Sequence, residues 1–223
     1  MVALILACLL DSSVFRPAGA APAHEFDALE LYAVNIFRTP KQPWPGYGIY
    51  LGRGLVITAA HVVGHVYFAN PTVLFGEQEI EAKVVKEGDF EGVDLTLLHV
   101  DERLLPSRIA LRLLPLCEAA PQPGQPVVVV IPGSFARSRI LSPQALPKDV
   151  RNRFDTVIAD VASTGNSGSG VFDAARQCLM GIMSRKIQRV YFVNKNGTPV
   201  RRVYDLAKYF VPAAKIREFI PRH

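Results

Sequence analysis

Gly46-Tyr47-Gly48-Ile49-Tyr50-Leu51-Gly52-Arg53-Gly54-Leu55-Val56-Ile57-Thr58-Ala59-Ala60-His61 occupies residues 46–61. It holds two apolar runs, 47–51 and 55–58, set between glycines and followed by a histidine. Runs this short between turn-forming residues read as strands rather than helices. The same texture continues outward. Runs at 73–75, 80–85, 95–99, 127–131, 157–161, 171–172, 179–183, 189–193 and 200–204 are rich in Val and Ile and punctuated by Gly, Pro and Asn. Such spacing fits an all-β sandwich or barrel, not alternating strands and helices. Asn196-Gly197, between Val193 and Val200, is a tight-hairpin signal because both residues tolerate positive φ. Only the end of the chain has helical spacing, with Ala213, Ile216 and Ile220 on one side.

Two segments interrupt the pattern. Residues 115–126 carry four prolines and one glycine and read as a linker between a first unit, 24–114, and a second, 127–223. Residues 133–155 are long and weakly periodic, which reads as a surface loop.

At 223 residues, 49% apolar and 20% charged, the chain is long enough for one large β domain or two small fused barrels. The net charge is +5, with the basic residues gathered in the last part of the sequence. They form no linear stripe interleaved with aromatics, so the expectation is a solvated surface and no nucleic-acid partner. The apolar run 1–10 is too short to span a bilayer. Ala18-Gly19-Ala20 supplies a small-residue cleavage pattern, whereas a basic n-region is missing and Asp11 and Arg16 interrupt the segment. Residues 1–23 therefore read as a signal peptide or as a disordered N-terminus, the first implying export to a periplasm or out of the cell. Cys117 and Cys178 allow either one disulfide or two buried thiols.

Three stretches carry chemistry, in the order His, Asp, Ser. They are Thr58-Ala59-Ala60-His61, then Asp94-Leu95-Thr96-Leu97-Leu98, then Gly165-Asn166-Ser167-Gly168-Ser169-Gly170. A serine hydroxyl needs a base within hydrogen-bond reach to become a nucleophile at neutral pH. An imidazole serves as that base, and a buried carboxylate fixes its tautomer and stabilises the imidazolium. Other readings fail on single positions. His61 and His65 have the spacing of a helical metal pair but lack the following Glu of the zincin pattern, so no metal or other cofactor is expected. Leu51 stands where a dinucleotide loop needs Gly, and Ser169 where a nucleophile elbow needs Gly.

On these residues the chain resembles the chymotrypsin-fold (trypsin-like) serine peptidases, and among them the bacterial HtrA-type enzymes. The resemblance runs from about residue 30 to 221. Residues 46–63 are similar to the family's first hairpin and catalytic histidine, 93–101 to its aspartate strand, 111–130 to the linker opening its second barrel, and 165–168 to its nucleophile loop. Gly181-Ile182 then matches its pocket strand. The resemblance includes no PDZ module, so the regulated oligomers of larger relatives are not implied, and the oligomeric state stays open.

The resemblance implies two antiparallel six-stranded β-barrels with a short C-terminal helix, and a cleft between the barrels holding His61, Asp94 and Ser167. The backbone N–H groups of Gly165 and Ser167 would form the oxyanion hole. Val161, six residues before the serine, would sit at the base of the primary pocket, with Ile182, Met183, Ser184 and Phe210 along its walls. That set favours small or aliphatic residues before the scissile bond of a protein or peptide substrate. Asn166 replaces the aspartate that zymogen-activated relatives pair with a freed terminal amine, so no activation step of that kind is expected.

One departure matters. The family reads Ser-Gly-Gly, and here Ser167-Gly168 is followed by Ser169. If that position needed positive φ, the loop would be strained by about 1 kcal/mol. Two functions follow: an endopeptidase working through an acyl-enzyme on Ser167, or a catalytically weak or inactive peptidase-fold protein that binds peptides.

Overall fold

The structure, a computed structural model, describes residues 25–38, 44–65, 70–159, 167–195 and 198–221. Strands β1 (Ala33–Phe37), β2 (Gly46–Gly52), β3 (Leu55–Thr58), β4 (Thr72–Phe75), β5 (Gln78–Glu81), β6 (Lys83–Glu87) and β7 (Thr96–His99) form one sheet in the order β5-β4-β1-β2-β3-β7-β6. All its pairings are antiparallel. Seven strands stand where six were expected, and the reason is local. β5 and β6 are consecutive in the chain, separated only by Ala82, yet they occupy opposite ends of the sheet. The chain bends at buried Ala82, whose N–H donates to Pro71 O, and so passes from pairing with β4 to pairing with β7. One bent run counted twice accounts for the seventh strand.

The second sheet is a closed barrel of six strands: β8 (Pro126–Ile131), β9 (Ser134–Leu141), β10 (Val157–Ile158), β11 (Gly170–Asp173), β12 (Leu179–Lys195) and β13 (Thr198–Pro212), ordered β10-β13-β12-β11-β8-β9. A seven-residue helix, Ala213–Phe219, packs back with Ala213, Ile216 and Phe219 buried.

Successive strand residues point to opposite faces, and in β2, β3, β7, β8 and β11 both faces are covered. Ile49, Ile57 and Leu97 join Val128, Val130 and Phe172 in a cluster shared by the two sheets. Their neighbours Tyr50, Val56 and Leu98 fill the interior of the first sheet. Val127 and Val129 belong to a third cluster with Val171 and Met180. This is why the strands read as continuous apolar runs instead of alternating ones.

The segment 133–155 is corrected from loop to structure. It holds β9, a 3-10 turn at Pro143–Ala145 and a helical turn at Lys148–Arg151. Its periodicity was hidden because Arg137 and Arg139 face outward beside Ser138, while Phe135, Val150 and Phe154 pack on the core from scattered positions. The runs 189–193 and 200–204 are not separate strands but the distal parts of β12 and β13. Beyond Ile187 and Ala207 these two strands leave the barrel as a two-stranded ribbon. The Asn196-Gly197 turn lies outside the described residues, and its flanking residues Lys195 and Thr198 are paired.

Cys117 and Cys178 are joined in a disulfide, which decides between the two alternatives left open by the sequence. Among the described residues no helix is long and apolar enough to cross a membrane.

Candidate active site

His61 sits in a one-turn helix, Ala60–Val63, immediately after β3. Asp94 precedes β7 and is 1% exposed. Ser167 precedes β11 of the other sheet, and its loop is fixed by close backbone contact. Gly168 has φ +87°, and a Cβ there would lie 1.8 Å from Tyr47 O. Only glycine fits such a position. Tyr47 N–H donates to Ser167 O at 3.1 Å, and Thr58 Oγ1 donates to Tyr47 O at 2.6 Å, so β2 and β3 hold the serine loop in place.

The three side chains meet. His61 Nδ1 lies 3.0 and 2.9 Å from the two carboxylate oxygens of Asp94, and His61 Nε2 lies 2.6 Å from Ser167 Oγ. The backbone N–H of His61 also donates to Asp94 Oδ1 at 3.1 Å. Ser184 Oγ donates to Asp94 Oδ2 at 2.5 Å, and Ser184 O is 3.3 Å from Ser167 Oγ. Burial alone raises the affinity of Asp94 for a proton. The hydrogen bonds from the His61 ring, the Ser184 hydroxyl and the His61 backbone, with the nearby imidazole charge, outweigh it and hold the carboxyl below its ordinary value. With Nδ1–H held by the carboxylate, Nε2 is left as the acceptor facing Ser167.

Ser169 carries no strain. Among the described residues the only non-glycine residues at positive φ are Arg53 and Gln177. Gly168 takes the left-handed conformation, and Gly170 supplies the close approach, where a Cβ would meet Phe172 at 2.5 Å. The needs of the loop fall on 168 and 170, so a side chain at 169 is tolerated.

The remaining expected site residues divide. Val161, Gly165 and Asn166 lie outside the described residues. Ile182 is wholly buried in the cluster shared by the sheets, while Met183 and Phe210 are paired neighbours buried in the second barrel. Both faces of β12 are covered at this point, so these side chains present no open surface, and the segment 160–166 that would complete the expected pocket lies outside the described residues. Ser184 turns instead to Asp94.

Three further residues join Ser184 at the site. The Phe90 ring meets the His61 ring edge-on, with centroids 5.2 Å apart. The Arg185 guanidinium lies 3.7 Å above Phe90, donates to Phe90 O and donates through Nε to Ser184 Oγ at 3.3 Å. On the other side Arg38 donates to His61 O at 2.5 Å and to Val62 O at 3.0 Å. There a cleft of about 470 Å³, lined by Arg38, Trp44, Tyr47, His61 and Ser167, opens beside the serine. The Ser184–Asp94 contact spans 90 residues, and no local pattern announces it.

Two predictions arise from this network. Replacing Ser184 by Ala removes one charge-assisted donor to a buried carboxylate, an interaction worth about 1.5–3 kcal/mol. We expect kcat to fall by roughly tenfold or more with KM little changed, measured by steady-state hydrolysis of a peptide ester. An unchanged kcat would remove Ser184 from the functional network. The second concerns pH. A depressed carboxyl stabilises the fold above its unfolded-state value and loses that contribution as pH falls through the folded one. Asp94 and Asp173 both behave so; for Asp173, burial raises the value but is outweighed by donors from Arg176, Ala175 and Gln125. The urea midpoint should therefore decline below about pH 4. Asp94→Asn should flatten that decline, and an equally steep one in the variant would refute the assignment.

Comparison with known proteins accords with this geometry. Residues 46–182 match the trypsin-like peptidase domain family. No curated protein sequence matches the chain. Among solved structures it is similar to the Rv3671c protease from M. tuberculosis in its active form, at 20% identity and a TM-score of 0.57, with 97% of this chain and 92% of that one covered. It is also similar to the serine endoprotease from Yersinia pestis, at 19% identity and a TM-score of 0.60, where 87% of this chain spans 63% of that one. Kallikrein-related peptidase 10 in complex with Zn2+ aligns at 19% identity and a TM-score of 0.61, covering 85% of this chain and 92% of that one. At such identities these likenesses show a shared fold. The match over 46–182, which takes in His61, Asp94 and Ser167 in order, shows that this chain belongs to the trypsin-like peptidase domain family.

Proposed function

We propose that His61, Asp94 and Ser167 are the catalytic triad of this serine endopeptidase and that it cuts protein or peptide substrates through an acyl-enzyme on Ser167. The observation that carries the assignment is the unbroken line Asp94–His61–Ser167, with every link at hydrogen-bond distance. Ser167 Oγ attacks the scissile carbonyl carbon as its proton passes to His61 Nε2. The carbonyl oxygen becomes an oxyanion, to which the N–H groups of Gly165 and Ser167 would donate; such a pair contributes about 3 kcal/mol to barrier lowering. The tetrahedral adduct collapses, the C–N bond breaks, and Nε2 returns the proton to the leaving amine. Water then attacks the ester by the same proton route, releasing the acid and restoring Ser167. No metal or other cofactor enters these steps. Val161 at the pocket base gives the expected preference for small or aliphatic residues before the cut.

The binding-only reading rested on strain at Ser169 or on a crowded pocket; the loop places the special conformation on Gly168, which removes the first of these grounds. Residence in an oxidising compartment, by export, fits the Cys117–Cys178 disulfide. The test is labelling of the purified protein with a fluorophosphonate probe, beside Ser167→Ala and His61→Ala. Labelling of the wild type that vanishes in both variants is the expected result. A folded wild type that stays unlabelled would return the binding reading to first place.

A further inference from the structure

We propose that the ribbon formed by the distal halves of β12 and β13 docks this protein on a lipid bilayer surface that carries anionic headgroups. Residues 188–195 and 198–205 project from the barrel as two paired strands, exposed on both faces apart from partly buried Val200. Partners directly opposite in an antiparallel pair share a face, and successive residues alternate. One face therefore presents Tyr191, Val193 and Tyr204; the other presents Val190, Phe192 and Val203. Phe192 is 71% and Tyr204 55% exposed. A docked protein would cover one face and leave the other wet. A ribbon apolar on both faces is satisfied by insertion into a medium that surrounds it.

The charge agrees with that occupant. From 188 to 205 the sequence holds Arg189, Lys195, Arg201 and Arg202 against one acidic residue, Asp205, which lies at the root of the ribbon and pairs with Lys186. The cations are interleaved with the apolar groups through strand pairing. Arg202 stands opposite Tyr191, Arg201 opposite Phe192 and Arg189 opposite Tyr204. In the linear sequence the hairpin separates these partners, so no basic-aromatic stripe was visible there. The Arg189 guanidinium lies 5.5 Å from the Tyr191 ring centroid, and the Tyr191 and Tyr204 rings meet edge-on at 5.5 Å. Aromatic rings with flanking arginines suit the boundary between headgroups and acyl chains, where one part of each group is apolar and another wet. Edge-to-edge pairing with a second copy is disfavoured because Pro199 interrupts the free edge of β13 and Arg189 and Lys195 place charge along β12. The ribbon continues from Ser184 along β12, so docking would hold the triad close to the membrane surface.

The test is flotation of the full chain with vesicles of phosphatidylcholine alone and of phosphatidylcholine mixed with phosphatidylglycerol. We expect flotation only with the mixed vesicles, and its loss in the double variant Phe192→Ser, Val193→Ser. One cation at an anionic surface strengthens partitioning roughly fivefold, so Arg201→Gln with Arg202→Gln should weaken it about 25-fold. Thermal melting unchanged in both variants keeps a folding defect apart from a docking defect, and the readout does not depend on catalysis. The proposal is overturned if the wild type fails to float with mixed vesicles, or if both variants float as well as it does. A dimer in sedimentation that Phe192→Ser dissolves would assign the ribbon to a second copy. Retention of single-stranded DNA without vesicle binding would assign it to nucleic acid.

Discussion

Replacing Asp94 by Asn should lower kcat by about 10⁴-fold while leaving the fold in place. The carboxylate accepts three donors: the backbone N–H of His61 at Oδ1, the Ser184 hydroxyl at Oδ2, and the imidazole Nδ1–H between them. An amide of the same shape must put its NH₂ at one of the two oxygen positions. At Oδ1 it would face the backbone N–H, a donor that cannot turn away. At Oδ2 it meets Ser184, whose hydroxyl can rotate and accept. The NH₂ group therefore settles at the Oδ2 position and donates to Nδ1 as well. That forces the imidazole proton onto Nε2, which then points a donor at Ser167 Oγ where an acceptor is required. The site keeps its shape and loses its base. Burst kinetics with an activated ester would check this, because acylation itself should be the slowed step. A fall of less than tenfold would mean that Asp94 does not set the tautomer of His61.

How much of this was legible in the sequence depended on how local each feature is. The histidine and serine loops announce themselves because their neighbours are constrained within a few residues. Thr58 must reach Tyr47 O, and Gly168 must pass under the same carbonyl. The second barrel was readable because both faces of β8, β11 and the root of β12 are covered, leaving unbroken apolar runs. The misses have the opposite character. β9 was hidden because its outward Arg137 and Arg139 break the pattern, and the bend at Ala82 leaves no turn residue to mark it. In the sequence nothing ties Ser184 or Arg185 to the triad. Their partners, Asp94 and Phe90, lie 90 and 95 residues away, a distance no short window can bridge. The ribbon was half legible: the hairpin signal was there, but only the register shows which cation faces which ring.

Removing the Cys117–Cys178 disulfide should cost about 4 kcal/mol of stability. The bond joins residues 61 apart, and loop-closure entropy for a ring of that size sets this figure as an order of magnitude. The enclosed segment contains β8, β9, β10 and β11 together with Ser167, so the unfolded chain is constrained across most of the second barrel. Both cysteines are buried, Cys117 beside Val127 and Cys178 beside Met180 in one apolar cluster. Alanine is the cleaner replacement, because serine would add two hydroxyls to that cluster. For a protein of this size the double variant Cys117→Ala, Cys178→Ala should melt on the order of 10 °C lower, measured by calorimetry beside the oxidised wild type. Fluorophosphonate labelling at 25 °C should survive, because every hydrogen bond around Ser167 and His61 is made by other residues. A melting point within about 2 °C of wild type would mean that the unfolded chain is already held compact without the bond. Reduction of the wild type should reproduce the shift, which ties the stability of the second barrel to the redox state of its surroundings.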